Sequence, residues 1–185
     1  MIRRGRPRRY DLRPLVETVF ACPELALGAA ALDELRARVV DQIADLPLDA
    51  LAYVPERTTL SIGALVEHLV WAEIDWIQRI SGATAPADLS AEVLAAGRAI
   101  ALGERMTADV SSEALVALCR RVRDDFTVPA LARLTDLEAR LDDGGPALTV
   151  REVLRHLAWH WTYHSGQIGL LREQWGAGYG WCFAA

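Results

Sequence analysis

Three of the four histidines, His156, His160 and His164, fall within nine residues at positions i, i+4 and i+8. Neutral imidazole nitrogens hold divalent metals and also carry protons near neutral pH. Four residues of helix leave a net rotation of only about 40°, so a helix over this stretch sets all three rings along one stripe. With His160 at zero, Val153 and Leu171 lie at about +20°, Leu157 at about +60°, Gln167 at about −20° and Tyr163 at about −60°. The stripe therefore mixes apolar side chains that seek a core with groups that bind metals or protons. The fourth histidine, His68, lies far upstream in a second helical stretch. Two histidines four apart plus a third on another helix is a geometry by which packed helices supply three nitrogens to one ion. The competing reading is a set of hydrogen-bonded core histidines without metal.

The second stretch offers further polar groups on the face of His68. Ser61 and Arg79 lie at about +20°, Ala72 at about +40°, Asp75 at about −20°, Ala64 at about −40° and Trp71 at about −60°. Asp75 and Arg79 are i, i+4 partners. They read either as an exposed ion pair at a helix end or as polar walls of a pocket beyond the metal. Glu67 and Glu73 are expected to face away, toward solvent.

The elements that must carry these groups are helices. The chain has 185 residues, 52% of them hydrophobic, which is enough for one domain with a sizeable core. Apolar residues recur at three- and four-residue steps over 24–46. A loop bounded by prolines is expected over 47–58. A helix follows over 60–81, capped by Thr59 or Ser61 and ended by Ser81-Gly82. A long alanine- and glycine-rich connection covers 82–110, with a short helix expected over Leu89 to Ile100. The third helical region, 111–140, is expected to kink or split at Pro129. The string Asp142-Asp143-Gly144-Gly145-Pro146 marks a loop. Thr149-Val-Arg-Glu152 is a capping box opening the histidine helix, which is expected to run to about Trp175. Gly166 and Gly169 cost that helix roughly 1 kcal/mol each; a close neighbouring helix or room for a ligand would offset it. Residues 1–20 read as a basic, mobile arm, and 21–185 as a single helical-bundle domain with a glycine-rich tail that docks on the body or across a dimer interface.

Composition excludes several functions. The net charge of −5 argues against general attraction to nucleic acid. All twenty basic residues are arginine, so lysine Schiff-base chemistry is out. Cys22, Cys119 and Cys182 are far apart and odd in number, the pattern of reduced thiols in a cytoplasm. No run of 18 apolar residues predicts a membrane span.

The string His-x3-His-x3-His-x-Gly-Gln, the single histidine early in the second helix, the long link after it and the Thr-Val-x-Glu opening of the last helix resemble the DinB/YfiT-like family over residues 24–175. The resemblance implies an all-α, four-helix bundle with a long connection between its second and third helices. It implies that His68, His160 and His164 bind a divalent metal, zinc or nickel. His156 matches a family histidine that is less consistently a ligand, and is read as supporting the ligands or lining the pocket. Characterised members are similar to transferases and isomerases that use the low-molecular-weight thiols mycothiol or bacillithiol.

Three neutral nitrogens leave an ion with an open position and its full charge, the catalytic rather than the structural pattern. Such an ion activates a thiol, or water, for transfer to a small electrophile. Gln167 is placed to hydrogen-bond a ligand histidine or substrate, and Tyr163 or His156 to supply a proton. Metal-dependent hydrolysis ranks lower, because Asp75 is the only inward carboxylate and lies about two turns from His68. The non-enzymatic alternative is a metal- or ligand-binding stress protein whose ion staples the helices, with Cys119 or Asp75 completing four-coordination. The expected partner is a small molecule; nucleic acid and membrane are not expected, and a homodimer is open to the chain.

Overall fold

The computed structural model describes residues 2–9, 11–141 and 147–183. The Asp142–Pro146 loop read from the sequence lies outside them. The described chain is mostly helical. Helix α1 spans Pro23–Ile43, α2 Leu48–Ala52, α3 Ile62–Ser81, α4 Ala87–Leu102, α5 Ser112–Arg121, α6 Val128–Leu131 and α7 Val150–Trp175. The loop expected over 47–58 thus holds one short helix, α2, whose Ala50 and Leu51 are buried.

Helix α3 is the central element. It packs against α4, α7, α2 and the α5–α6 region, while α1 packs along α7. Every residue from Ile62 to Val70 is buried. Glu67 and Glu73 are buried with it, at 7% and 0% exposure, against the expectation of a solvent face. A wheel drawn from His68 identifies one inward face; it does not show that other helices cover the rest. Glu73 accepts 2.5 Å hydrogen bonds from Arg36 of α1 and from the Thr127 hydroxyl. Glu67 faces Glu92, and burial, then that neighbouring carboxylate, push its pKa up to about 7.

Local chemistry sets the ends of the helices. The Ser61 hydroxyl accepts from the Ala64 amide, and Gly82, at φ 65°, ends α3 in the left-handed conformation. The third helical region stops well short of 140. Between α5 and α6 it widens into a π-helical segment, Val122–Thr127, just before Pro129. Proline lacks the amide that an α-turn needs, and π-turns accommodate such breaks. That segment brings Thr127 to Glu73. The Thr149–Glu152 capping box forms as the sequence predicts.

Residues 2–9, read as a mobile arm, lie along α1. Strand β1 (Arg3–Arg4) pairs in parallel with β2 (Tyr179–Gly180) of the tail. Asp41 of α1 collects the Arg6 amide at 2.6 Å, the Tyr179 hydroxyl at 2.5 Å and the Arg3 guanidinium at 3.2 Å. Burial alone would raise the Asp41 carboxyl; the Tyr179 and Arg6 hydrogen bonds and the Arg3 and Arg8 charges outweigh it and hold the pKa low. The tail therefore docks on the chain's own arm and first helix.

Candidate metal centre

The walls of the centre are α3 and α7. His68 is the seventh residue of α3; His160 and His164 sit one turn apart on α7. The three rings are nearly buried, at 5%, 9% and 9% exposure. Their Nε2 atoms converge: His68 Nε2 lies 3.0 Å from His160 Nε2, which lies 3.1 Å from His164 Nε2. One ligand atom from each residue falls within 4.8 Å of the others, so the three are placed to hold one metal ion. Tetrahedral zinc with bonds of about 2.0–2.1 Å separates its nitrogens by about 3.3 Å, within a few tenths of an ångström of this spacing.

Proton bookkeeping supports the fit. Burial, and then the neighbouring His164, lower the His68 pKa to about 3; burial and the surrounding histidines lower His160 likewise to about 3. Burial lowers His164 too, opposed by Gln167. All three rings are therefore neutral near pH 7, each with one N–H and one lone pair. Gln167 Oε1 lies 2.6 Å from His164 Nδ1, which puts that ring's proton on Nδ1 and leaves Nε2 bare. One proton, on His160 Nε2 or on His68 Nε2, can then bridge neighbouring nitrogens, and either placement leaves lone pairs facing one another or sharing one donor. A divalent cation satisfies all three lone pairs at once. His68 Nδ1 and His160 Nδ1 are buried and have no hydrogen-bond partner among the described residues. Among the described residues Gln167 is thus the group that fixes a ligand tautomer here. Its Nε2 donates to the Tyr163 hydroxyl at 3.2 Å.

Aromatic rings surround the cluster. Trp71 stacks against His68 with ring centroids 5.9 Å apart. His156 stands 5.8 Å from His160 and 5.1 Å from Trp76, outside the ligand group. Burial lowers its pKa. Trp159 and Tyr163 stack on each other at 5.4 Å, are 59% and 50% exposed, and stand beside His160 and His164. Sequence reasoning passed over Trp76 and Trp159. Trp76 lies eight residues after His68, only about 80° away on the wheel, which was a usable signal.

The remaining predicted residues lie at the edge. Asp75 and Arg79 form a 3.7 Å ion pair with side chains 44% and 29% exposed, and Arg79 covers the Trp76 ring at 4.0 Å. Cys119 is buried beside Arg36 and Glu73, with its thiol pushed up to about 12 by burial. Neither Cys119 nor Asp75 belongs to the ligand group. The two α7 glycines answer to no tight helix approach: a Cβ at Gly166 meets nothing within 4 Å, and one at Gly169 finds Gln42 Oε1 at an ordinary 3.4 Å.

A mostly helical chain that gathers three imidazoles to one point falls in the DinB-like class of helical proteins. Within that class, a family model described as Mycothiol-S-transferase matches residues 29–177, and the chain belongs to that family. No curated protein matches the chain. Among the described residues, no helix is long and apolar enough to cross a membrane.

Proposed function

We propose that this chain transfers a low-molecular-weight thiol to a small electrophile, with His68, His160 and His164 as Nε2 ligands of a zinc or nickel ion. The observation that carries the reading is the convergence of three buried, neutral imidazole nitrogens, together with membership of the mycothiol-S-transferase family. A bound divalent ion supplies charge that lowers the pKa of a thiol reaching its open position. In the transfer the thiol gives up its proton to solvent water, its sulfur lone pair forms the new C–S bond, and the leaving group departs with the electrons of the broken bond.

The chain's own residues hold and orient. Gln167 Oε1 keeps the His164 proton on Nδ1, so Nε2 stays available. Because Gln167 Nε2 donates to the Tyr163 oxygen, the Tyr163 proton is not used by Gln167. It is placed to donate to a departing group. Trp71 packs on His68 and limits water at that ring. We further propose that α1, α3, the α5–α6 region and α7 are the four helices of a DinB-type bundle, with α4 inside the long connection. The packing of α1 on α7 and of α3 on α7 and α5 supports this.

Hydrolysis is less well supported, because Asp75 is half-exposed and tied to Arg79 rather than facing the nitrogens. The test is product formation by mass spectrometry, using metal-loaded protein, mycothiol and an activated aryl halide. The loaded wild type is expected to form the thioether, and His68→Ala and metal-stripped protein are not. Equal rates in all three would overturn the reading.

A further inference from the structure

Two different surfaces flank the three histidines, one on each side along the helices. On α3 the order is Leu65, His68, Trp76; the groups they meet on α7 run Leu171 and Gln167, then His164 and His160, then His156. The two helices therefore run antiparallel past the centre. The side toward Trp76 and His156 is aromatic, continuing to the stacked Trp159 and Tyr163. The other side opens into a cleft of about 300 Å³ between the loop before α3 and the last turns of α7.

That cleft begins at the centre itself. Gln167 lines it and also holds His164, so one side chain separates the two. Its floor is apolar, from Leu60, Leu65 and Leu171, and its rim is polar, from Arg57, Thr58, Thr59 and Gln174. The Thr58 hydroxyl donates to Pro55, leaving its lone pairs open. Among the described residues no hydrogen bond engages the Arg57 or Gln174 side chain. No carboxylate is among the nine lining residues, and the one charged group is a guanidinium. An ammonium-bearing head group would find no counter-ion there, whereas hydroxyls and amides would meet five guanidinium N–H donors, the Gln174 amide and two hydroxyls. The aromatic side offers ring faces with single polar atoms at their edges, which suits a planar electrophile.

We propose that this cleft holds the hydroxyl-rich, uncharged head group of the thiol, with Arg57 and Gln174 setting specificity, while the sulfur points past Gln167 to the histidines. The proposal rests on the thiol-transfer reading for its placement of the sulfur. It assigns Arg57 and Gln174 to binding alone, outside the chemical step.

Two readouts test it. The first is equilibrium binding of S-methylmycothiol, an unreactive thioether that keeps the head group, by calorimetry on wild type and an Arg57→Ala, Gln174→Ala double variant. Two lost hydrogen bonds predict roughly tenfold weaker binding in the variant. The second is turnover by metal-loaded protein. KM for mycothiol is expected to rise about tenfold at nearly unchanged kcat, while N-acetylcysteine, which lacks the head group, reacts equally with both proteins. Zinc content is expected to be the same in both. Binding that depends on Arg57 and Gln174, with no turnover of any thiol, would sink thiol transfer and leave the cleft's assignment standing. Binding of S-methylmycothiol that is absent, or equal in the two proteins, would overturn the inference, as would equal loss of turnover with both thiols.

Discussion

Replacing Gln167 with leucine tests how the centre is held. In the folded chain Gln167 Oε1 takes the His164 Nδ1 proton at 2.6 Å, while His68 Nδ1 and His160 Nδ1 have no such partner. A neutral hydrogen bond of this kind contributes about 0.5–1.5 kcal/mol. When a cation draws charge from the ring, the Nδ1–H becomes a stronger donor and the bond about doubles in strength. The bond is present with and without the ion, so the change costs metal affinity only the difference, roughly 0.5–1.5 kcal/mol or about 2–12-fold. Leucine fills similar volume, and Gln167 is only half-buried, so urea unfolding of the metal-free protein is expected to lose no more than the roughly 0.5–1.5 kcal/mol of the neutral bond. Gln167→Glu keeps an acceptor and is expected to keep most of the affinity. Tyr163→Phe removes only the outer link of the chain and is expected to weaken zinc less than about threefold. The assay is competition for zinc against a chromophoric chelator at pH 7.5. Zinc affinity of Gln167→Leu within twofold of wild type would refute the reasoning.

Other expectations concern the frame and its pH response. Among the described residues Glu73→Ala leaves Asp33 as the one ion-pair partner of the buried Arg36, and removes the Thr127 partner; it is expected to cost about 3 kcal/mol in urea unfolding, and a loss under 1 kcal/mol would contradict this. A Cβ at Gly97 would stand 2.3 Å from the Trp71 ring that packs on His68. Gly97→Ala is therefore expected to lower the melting temperature through about 1–2 kcal/mol of overpacking and to weaken zinc binding, whereas a higher melting temperature would count against it. His68 and His160 are held neutral to about pH 3, so between pH 6.5 and 5 the unfolded chain takes up protons there and the folded metal-free chain does not. Stability of the metal-free protein should fall with acid across that window, and a His68→Gln, His160→Gln variant should show a flatter slope; equal slopes would argue otherwise.

Much of the centre was legible because its information is local. The i, i+4 spacing on α7 and the capping box at Thr149 lie within short stretches, and both appear as read. That His68 joins them was implied by the family resemblance; its helix, with N-cap Ser61 and terminal Gly82, was legible in the sequence itself. What stayed hidden depends on distant partners. Glu73 is silenced by Arg36 and Thr127, 37 and 54 residues away, so its burial had no local sign. The arm joins the tail through Arg3 and Tyr179, at opposite ends of the chain, and neither segment has a strand pattern of its own. The polar cleft exists only because the Arg57–Thr59 loop meets the end of α7. The π-helical segment before Pro129 was foreseen as a break but not in its form.

The central claim is that His68, His160 and His164 hold one divalent ion. The most direct measurement is metal content by mass spectrometry, on protein purified without a histidine tag, for wild type and a His160→Ala, His164→Ala double variant. The account predicts about one zinc or nickel per chain in the wild type and none in the variant. Wild type that stays metal-free after reconstitution, or a variant that keeps its ion, would contradict it.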